Sequence, residues 1–178
     1  EYLASSPARR VRVRRLLDVA IWHHPEPRTV LDVGAGIGLA VSEAPARGLR
    51  AEGVEPSIWC VETAARVNGV KLLCGTLEDC SARLGTYDLV LLVDVIEHTE
   101  APLRLMEKAA EKLAINGRMV IVTPDIGSLA ARLMGRRWWH HRVAHVCYFN
   151  RASMRRALRI CGLEVLRDIP SGWRLPVP

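Results

Sequence analysis

From residue 28 onward, short apolar runs alternate with longer amphipathic stretches. Thr29–Val33, Arg50–Val54, Val70–Cys74, Tyr87–Val93 and Arg118–Thr123 read as strands. Tyr87–Val93 (YDLVLLV) is nearly all apolar, as a parallel strand covered on both faces should be. Helices are expected over Ile37–Ala46, from Ser57 to about Val67, and over Pro102–Leu113, the last ended by an Asn116-Gly117 C-cap and turn. In front of this series, Val13, Leu16, Leu17, Ala20 and Ile21 fall at helical spacing within Arg9–Ile21. Such a helix buries one face and leaves its arginines outside, and His23–Pro27 breaks it.

The end of the chain is less regular. Ser128–Met134 reads as a helix, Gly135–Arg142 as a loop and Ala144–Phe149 as extended. Ala152–Cys161 reads as a helix capped by Gly162, and Leu163–Arg167 as a sixth strand. Strand–helix alternation of this kind implies one α/β domain, a mostly parallel three-layer sheet with helices on both faces and right-handed crossovers. The whole of 1–178 is expected to be that domain, with an N-terminal helix over 1–27, a core over 28–125 and a lid region over 126–178. Residues 169–178, with Pro170, Pro176 and Pro178, make a poor seventh strand, so a final antiparallel strand is expected to be absent. The first residue is Glu1, so the sequence is expected to be cut from a longer chain.

The most informative segment is Val30-Leu31-Asp32-Val33-Gly34-Ala35-Gly36-Ile37-Gly38. A buried strand ends in a glycine-rich turn that opens a helix, at the sheet edge where α/β proteins bind ligands. The helix N-terminus is expected to offer free N–H groups there. A dinucleotide fingerprint would place Gly or Ala at 39, where this chain has Leu39, which disfavours a nicotinamide oxidoreductase. Asp32 ahead of the glycines suits a cationic ligand better than a pyrophosphate.

With its later motifs in register, VLDVGAGIG resembles the first motif of the class I, Rossmann-like S-adenosylmethionine-dependent methyltransferases. The later motifs are Gly53-Val54-Glu55-Pro56-Ser57, Cys74-Gly75-Thr76-Leu77-Glu78-Asp79, Tyr87-Asp88-Leu89-Val90 running into Asp94-Val95-Ile96-Glu97-His98, and Asn116-Gly117-Arg118. The stretch His145–Leu166 is similar to the small-molecule branch that includes ubiquinone-type O-methyltransferases. The resemblance implies S-adenosylmethionine as cofactor, S-adenosylhomocysteine as product, and no metal. It implies that Gly34, Ala35 and Gly36 line the methionine and ribose, with Asp32 acting through the turn's N–H groups or on the ligand's ammonium. Glu55 would accept from the ribose hydroxyls, Pro56 and Ser57 would flank the adenosine, and Thr76 and Leu77 would edge the adenine, Leu77 on a ring face. Val93, Asp94 and Val95 would floor the site near the sulfonium.

His98 follows Asp94 by four residues, and its near-neutral pKa suits a general base for an acceptor hydroxyl. Trp138, Trp139 and His140 suit a lid over the acceptor, and His145 and Tyr148 are placed near it by resemblance. A metal at His140, His141 and His145 is disfavoured by the crowding arginines and the lack of an HExxH pattern. Trp22 and Trp59 are expected in the core or cleft wall.

Composition and charge modify this picture little. Residues 1–89 hold 11 basic and 11 acidic side chains, whereas 90–178 hold 14 and 8 and carry the net +6. From Ile126 to Leu163 there are eight arginines and no acid. That stretch, with Trp138, Trp139 and Tyr148, supports two other readings: a nucleic-acid-binding protein, or an RNA methyltransferase. A cofactor-binding module without catalysis is a further alternative. No apolar run reaches the ~18 residues of a membrane span. Five cysteines without a Cys-x-x-Cys read as reduced thiols, hence a cytoplasmic location. The favoured activity is methyl transfer to a hydroxyl of a small molecule such as a natural product, quinone precursor or sugar.

Overall fold

The computed structural model describes residues 6–169. Five parallel strands form one sheet in the order β3-β2-β1-β4-β5: β1 (Thr29–Val33), β2 (Arg50–Glu55), β3 (Leu73–Cys74), β4 (Tyr87–Val93) and β5 (Leu113–Val122). The helices are α1 (Ser6–Trp22), α2 (Leu39–Glu43), α3 (Ile58–Thr63), α4 (Leu77–Cys80), α5 (Pro102–Ala110), α6 (Leu129–Met134) and α7 (Arg151–Ile160). The strand order reverses between β1 and β4, so the crevice at their carboxyl ends is the natural ligand site.

Alternation along the central strands builds the three layers. Leu31, Val33, Val90 and Leu92 face one way, into a core shared with Leu77 of α4, Met106 and Ala109 of α5 and Ala157 of α7. Val30, Leu89 and Leu91 face the other way, against Leu17 and Ala20 of α1 and Ala40 of α2. The expected inner stripe of α1 is real, with Leu16, Leu17 and Ala20 buried. Its outward arginines are not simply solvated: Arg10 and Arg14, with Arg47 from the turn after α2, converge on the buried carboxylate of Glu43 in α2. The three guanidiniums offset the cost of burying that charge and dock α1 on the domain.

Several expected boundaries move, each for a local reason. Gly38 (φ 73) caps α2, which therefore starts at Leu39 and gives way to a 3-10 turn at Pro45. α3 ends at Thr63 and continues as a π turn, Ala64–Asn68. Only Leu73 and Cys74 of the expected third strand pair with β2, because Leu72 turns inward against Val41 and Ala64. Asn116-Gly117 lies inside β5 rather than ending a helix. Asn116 has φ 63, and a Cβ on Gly117 would lie 2.9 Å from the carbonyl oxygens of Ala114 and Tyr87, so a left-handed kink and a bare backbone let β5 begin early, at Leu113 opposite Tyr87.

The sixth strand over Leu163–Arg167 is not formed. Instead Gly162 turns the chain back (φ 72), and Asp168 pairs with Arg151 and Arg155 on α7. Beside β5, one of the two edge strands among the described residues, runs a groove of about 1760 Å³ between α1 and α7. Ala144–Phe149 is not a strand either; it makes one bridge, Asp125 to Phe149. The expected lack of a strand over 169–178 falls almost wholly outside the described residues. Among them, no helix is long and apolar enough to cross a membrane.

Candidate active site

The glycine turn follows β1, and a carboxylate at the end of β2 holds it. Glu55 is buried and accepts from the Gly36 N–H at 2.8 Å and from the Ser57 N–H at 2.9 Å, one on each oxygen. A carboxylate has about four lone-pair sites, so each oxygen keeps room for another donor. Gly34 and Ala35 donate to the Val54 carbonyl, and Gly38 to that of Ala35. These turn amides are therefore engaged inside the fold, and the link from the turn to a carboxylate runs to Glu55. Gly34 is required on two counts: φ is 72, and a Cβ there would lie 2.6 Å from Val95 Cγ2. Val95, after β4, thus packs directly on the turn, and Val93 is half-buried against the core beneath α1 and α2.

Asp32 is buried under this turn. Desolvation, with the Glu55 charge adding to it, pushes its pKa up to about 7. Ser57 caps α3 by accepting from the Cys60 N–H, and Pro56 is exposed. Thr76 caps α4 in a reciprocal capping box with Asp79, whose carboxyl the Thr76 hydroxyl and amide hold below its usual range. Leu77 is a correction: it is 2% exposed and packs in the core under α4, so its side chain is not presented to an adenine face. Trp22 (81% exposed) and Trp59 (50%) lie outside the core, which leaves the cleft wall of the two places expected for them.

On the other side of β4 the structure draws together residues that lie far apart in sequence. Asp94 takes a left-handed conformation (φ 54), and its carboxylate receives Arg12 of α1 at 2.8 and 2.9 Å. Glu97 is 2% exposed; its carboxylate accepts from the Thr123 hydroxyl, and its carbonyl accepts from the amides of Val146 and Cys147. His98 Nδ1 lies 2.7 Å from the Ala144 carbonyl, which can only accept, so Nδ1 carries the proton and Nε2 is the basic atom. These contacts pin residues 144–147 to the end of β4. His145 then meets His98 edge-on at 4.7 Å between ring centroids and stacks near His140 at 6.0 Å. Tyr148 donates its hydroxyl to the His140 carbonyl.

Trp138 is 3% exposed and sits among His140, His141 and Tyr148, so it anchors the loop rather than forming an open lid; Trp139 is half-exposed. Burial lowers the pKa of both His140 and His145, which keeps these imidazoles neutral to lower pH. Burial raises that of Glu97. Glu97, His98 and His145 each bring a ligand atom within 4.8 Å of the others. Two imidazoles and one carboxylate suit a divalent metal. The buried Nδ1 of His145 meets no partner at hydrogen-bonding geometry, although the His140 carbonyl favours its charged form. This trio differs from the His140, His141 and His145 set that the sequence disfavoured. Glu97 and Arg12 were missed; the only sequence signal for Glu97 was its place before His98, and Arg12 gave none.

Comparison with known proteins agrees with this geometry. The Methyltransferase domain family matches residues 7–168. The chain is 32% identical over 99 residues to a ubiquinone biosynthesis O-methyltransferase of Rickettsia canadensis, covering 53% of this chain and 42% of that protein. It is 33% identical over 116 residues to the mitochondrial ubiquinone biosynthesis O-methyltransferase of Schizosaccharomyces pombe, covering 60% and 41%. It therefore spans about two fifths of the length of these curated relatives. Among solved structures, an S-adenosylmethionine-dependent methyltransferase from Thermotoga maritima, described as a possible histamine N-methyltransferase, superposes with a TM-score of 0.66 at 26% identity, covering 91% of this chain and 78% of that one. One from Archaeoglobus fulgidus gives a TM-score of 0.72 at 19% identity, covering 90% and 73%, and shares the fold. With the family matching residues 7–168, on a parallel sheet with the glycine turn at its switch point, this chain belongs to the class I S-adenosylmethionine-dependent methyltransferases and is related to the ubiquinone-type O-methyltransferases.

Proposed function

We propose that the chain transfers a methyl group from S-adenosylmethionine to a hydroxyl of a small molecule, with His98 as general base. The observation that supports this reading is the His98 Nδ1–Ala144 contact, which has Nδ1 donate and leaves Nε2 as the nitrogen available to accept, next to the end of β4. The hydroxyl oxygen attacks the sulfonium methyl in line, the S–C bond breaks, and the hydroxyl proton passes to Nε2. The sulfonium is already activated, so the protein's contribution is alignment and exclusion of water. Glu55 would take the ribose hydroxyls on its remaining lone pairs, and ionised Asp32 would face the ammonium. Five unpaired thiols support a reducing compartment such as the cytoplasm.

The test is transfer of labelled methyl to phenols, catechols and polyols beside a matched panel of amines. Methylated hydroxyl products support the reading, with His98→Gln lowering kcat by roughly 10²–10⁴ while S-adenosylhomocysteine still binds. Transfer to amines alone would contradict it, and binding without any transfer would point to a non-catalytic module.

The Glu97–His98–His145 grouping supports a second reading, in which these residues hold a divalent cation beside the acceptor. A bound cation supplies charge to stabilise a developing alkoxide or phenoxide. Activity abolished by chelation and restored by added metal would favour this reading over the base.

A further inference from the structure

We infer that Asn68 is a positioning residue for the glycine turn, and that Arg10 of α1 orients it. The inference rests on the assignment of this crevice to S-adenosylmethionine. Asn68 Nδ2 donates to the Ile37 carbonyl at 2.7 Å, and Asn68 Oδ1 accepts from Arg10 at 2.6 Å. A guanidinium only donates and a carbonyl only accepts, so the two partners fix which way the amide points. Ile37 lies between Gly36 and Gly38 in the turn. The Gly36 N–H is held by Glu55 at 2.8 Å. The peptide groups on both sides of the Gly36–Ile37 unit are thus held, one by a strand end and the other by Asn68, which restricts the unit between them.

The chain brings Asn68 there by local means. α3 gives way to the π turn Ala64–Asn68, whose hydrogen bonds span five residues instead of four. Gly69 (φ 66) stops it, and the Val70 N–H donates back to the Ala64 carbonyl. The same segment packs on the glycine turn: a Cβ on Gly38 would lie 2.6 Å from Val70 Cγ2 and 3.4 Å from Ala64 Cβ. Arg10 reaches Asn68 from the cluster on Glu43 and also donates to the Ser42 hydroxyl. Arg12, two residues further along α1, holds Asp94 on the acceptor side. α1 therefore bears on both sides of the crevice. A side chain that only stapled α1 to the end of α3 would need the Oδ1 contact alone; the Nδ2 contact reaches past that staple to the turn itself.

The test separates the two contacts, using calorimetric titration of S-adenosylhomocysteine beside thermal melting. Asn68→Asp keeps an acceptor for Arg10 but has no donor for the Ile37 carbonyl. It is expected to melt near the parent temperature while binding about tenfold more weakly. Asn68→Ala loses both contacts and should show a similar loss of affinity with a lower melting temperature. Without ligand, the Gly36 amide resonance should shift in Asn68→Asp, because the turn has lost its second hold; a staple between helices would leave it in place. Arg10→Ala should weaken binding about threefold, and no further in the Asn68→Ala background. Parent-like affinity in Asn68→Asp, losses that only follow the melting temperature, or additive losses from Arg10→Ala would each overturn the proposal. Absence of binding by the parent chain would instead overturn the cofactor assignment, and this proposal with it.

Discussion

The two sides of the crevice are built by different means. On the β1–β2 side, backbone groups fix the geometry: a carboxylate at the end of one strand accepts from two backbone amides, and a glycine admits Val95 from the end of β4. On the β4–β5 side, side chains from α1, the end of β4 and residues 138–148 meet only through tertiary structure. The first side is suited to a ligand that does not vary. The second is assembled from pieces that lie outside the strands, so their identities can change without disturbing the sheet.

Substitutions on the two sides should therefore separate. The largest effect is expected for Gly34→Val, which meets both the left-handed φ and Val95. It should lose cofactor binding altogether, together with a few kcal/mol of stability, as read by calorimetry and thermal melting. A parallel loss for Leu77→Ala, about 2–5 kcal/mol of stability, should come with cofactor affinity per folded molecule nearly intact, because Leu77 is a core residue. A hundredfold loss of affinity in that variant would restore Leu77 to the adenine site.

Next in size is a pH effect. With the Asp32 pKa near 7 and an ammonium favouring its ionised form, S-adenosylhomocysteine should bind about tenfold more weakly at pH 6 than at pH 8. Asp32→Asn should flatten that dependence. Without ligand the sign reverses. The folded protein holds the Asp32 proton more tightly than the unfolded chain, so this group's stabilising contribution is full below about pH 4 and is lost as pH rises to about 7. Asp32→Asn should accordingly raise the melting temperature at pH 8. A lower melting temperature there would mean that Asp32 is charged and well compensated.

The smallest effect is expected for Arg12→Ala. The pair with Asp94 is partly exposed, so stability should fall by about 1 kcal/mol or less. Acceptor KM should move more than cofactor affinity. The reverse split would place Arg12 on the cofactor side.

How far the sequence could be read follows the same division. VLDVGAGIG and Glu55 were legible because a strand, a turn and a second strand impose fixed spacings. The all-apolar β4 was legible because both its faces are covered. The glycine turn's internal hydrogen bonds were not, since the Val54 carbonyl that engages Gly34 and Ala35 belongs to a strand 20 residues on. Asn116-Gly117 misled because a left-handed kink inside a strand uses the same residues as a helix stop. Leu163–Arg167 has strand composition, but Asp168 is held on α7 by two arginines. Glu97 and His145 are 48 residues apart, and no local pattern reports a pairing at that distance.

The most direct measurement is calorimetric titration of S-adenosylhomocysteine into the protein and into Glu55→Ala. Glu55 ties the glycine turn to the β2–α3 corner, so the side proposed for the cofactor rests on it. Saturable one-to-one binding by the parent chain, weakened at least a hundredfold in a variant that still folds, is the expected result; losing two hydrogen bonds to a charged acceptor removes about that much. Equal affinity in the two proteins, or no binding in either, would contradict the assignment of this crevice to the cofactor.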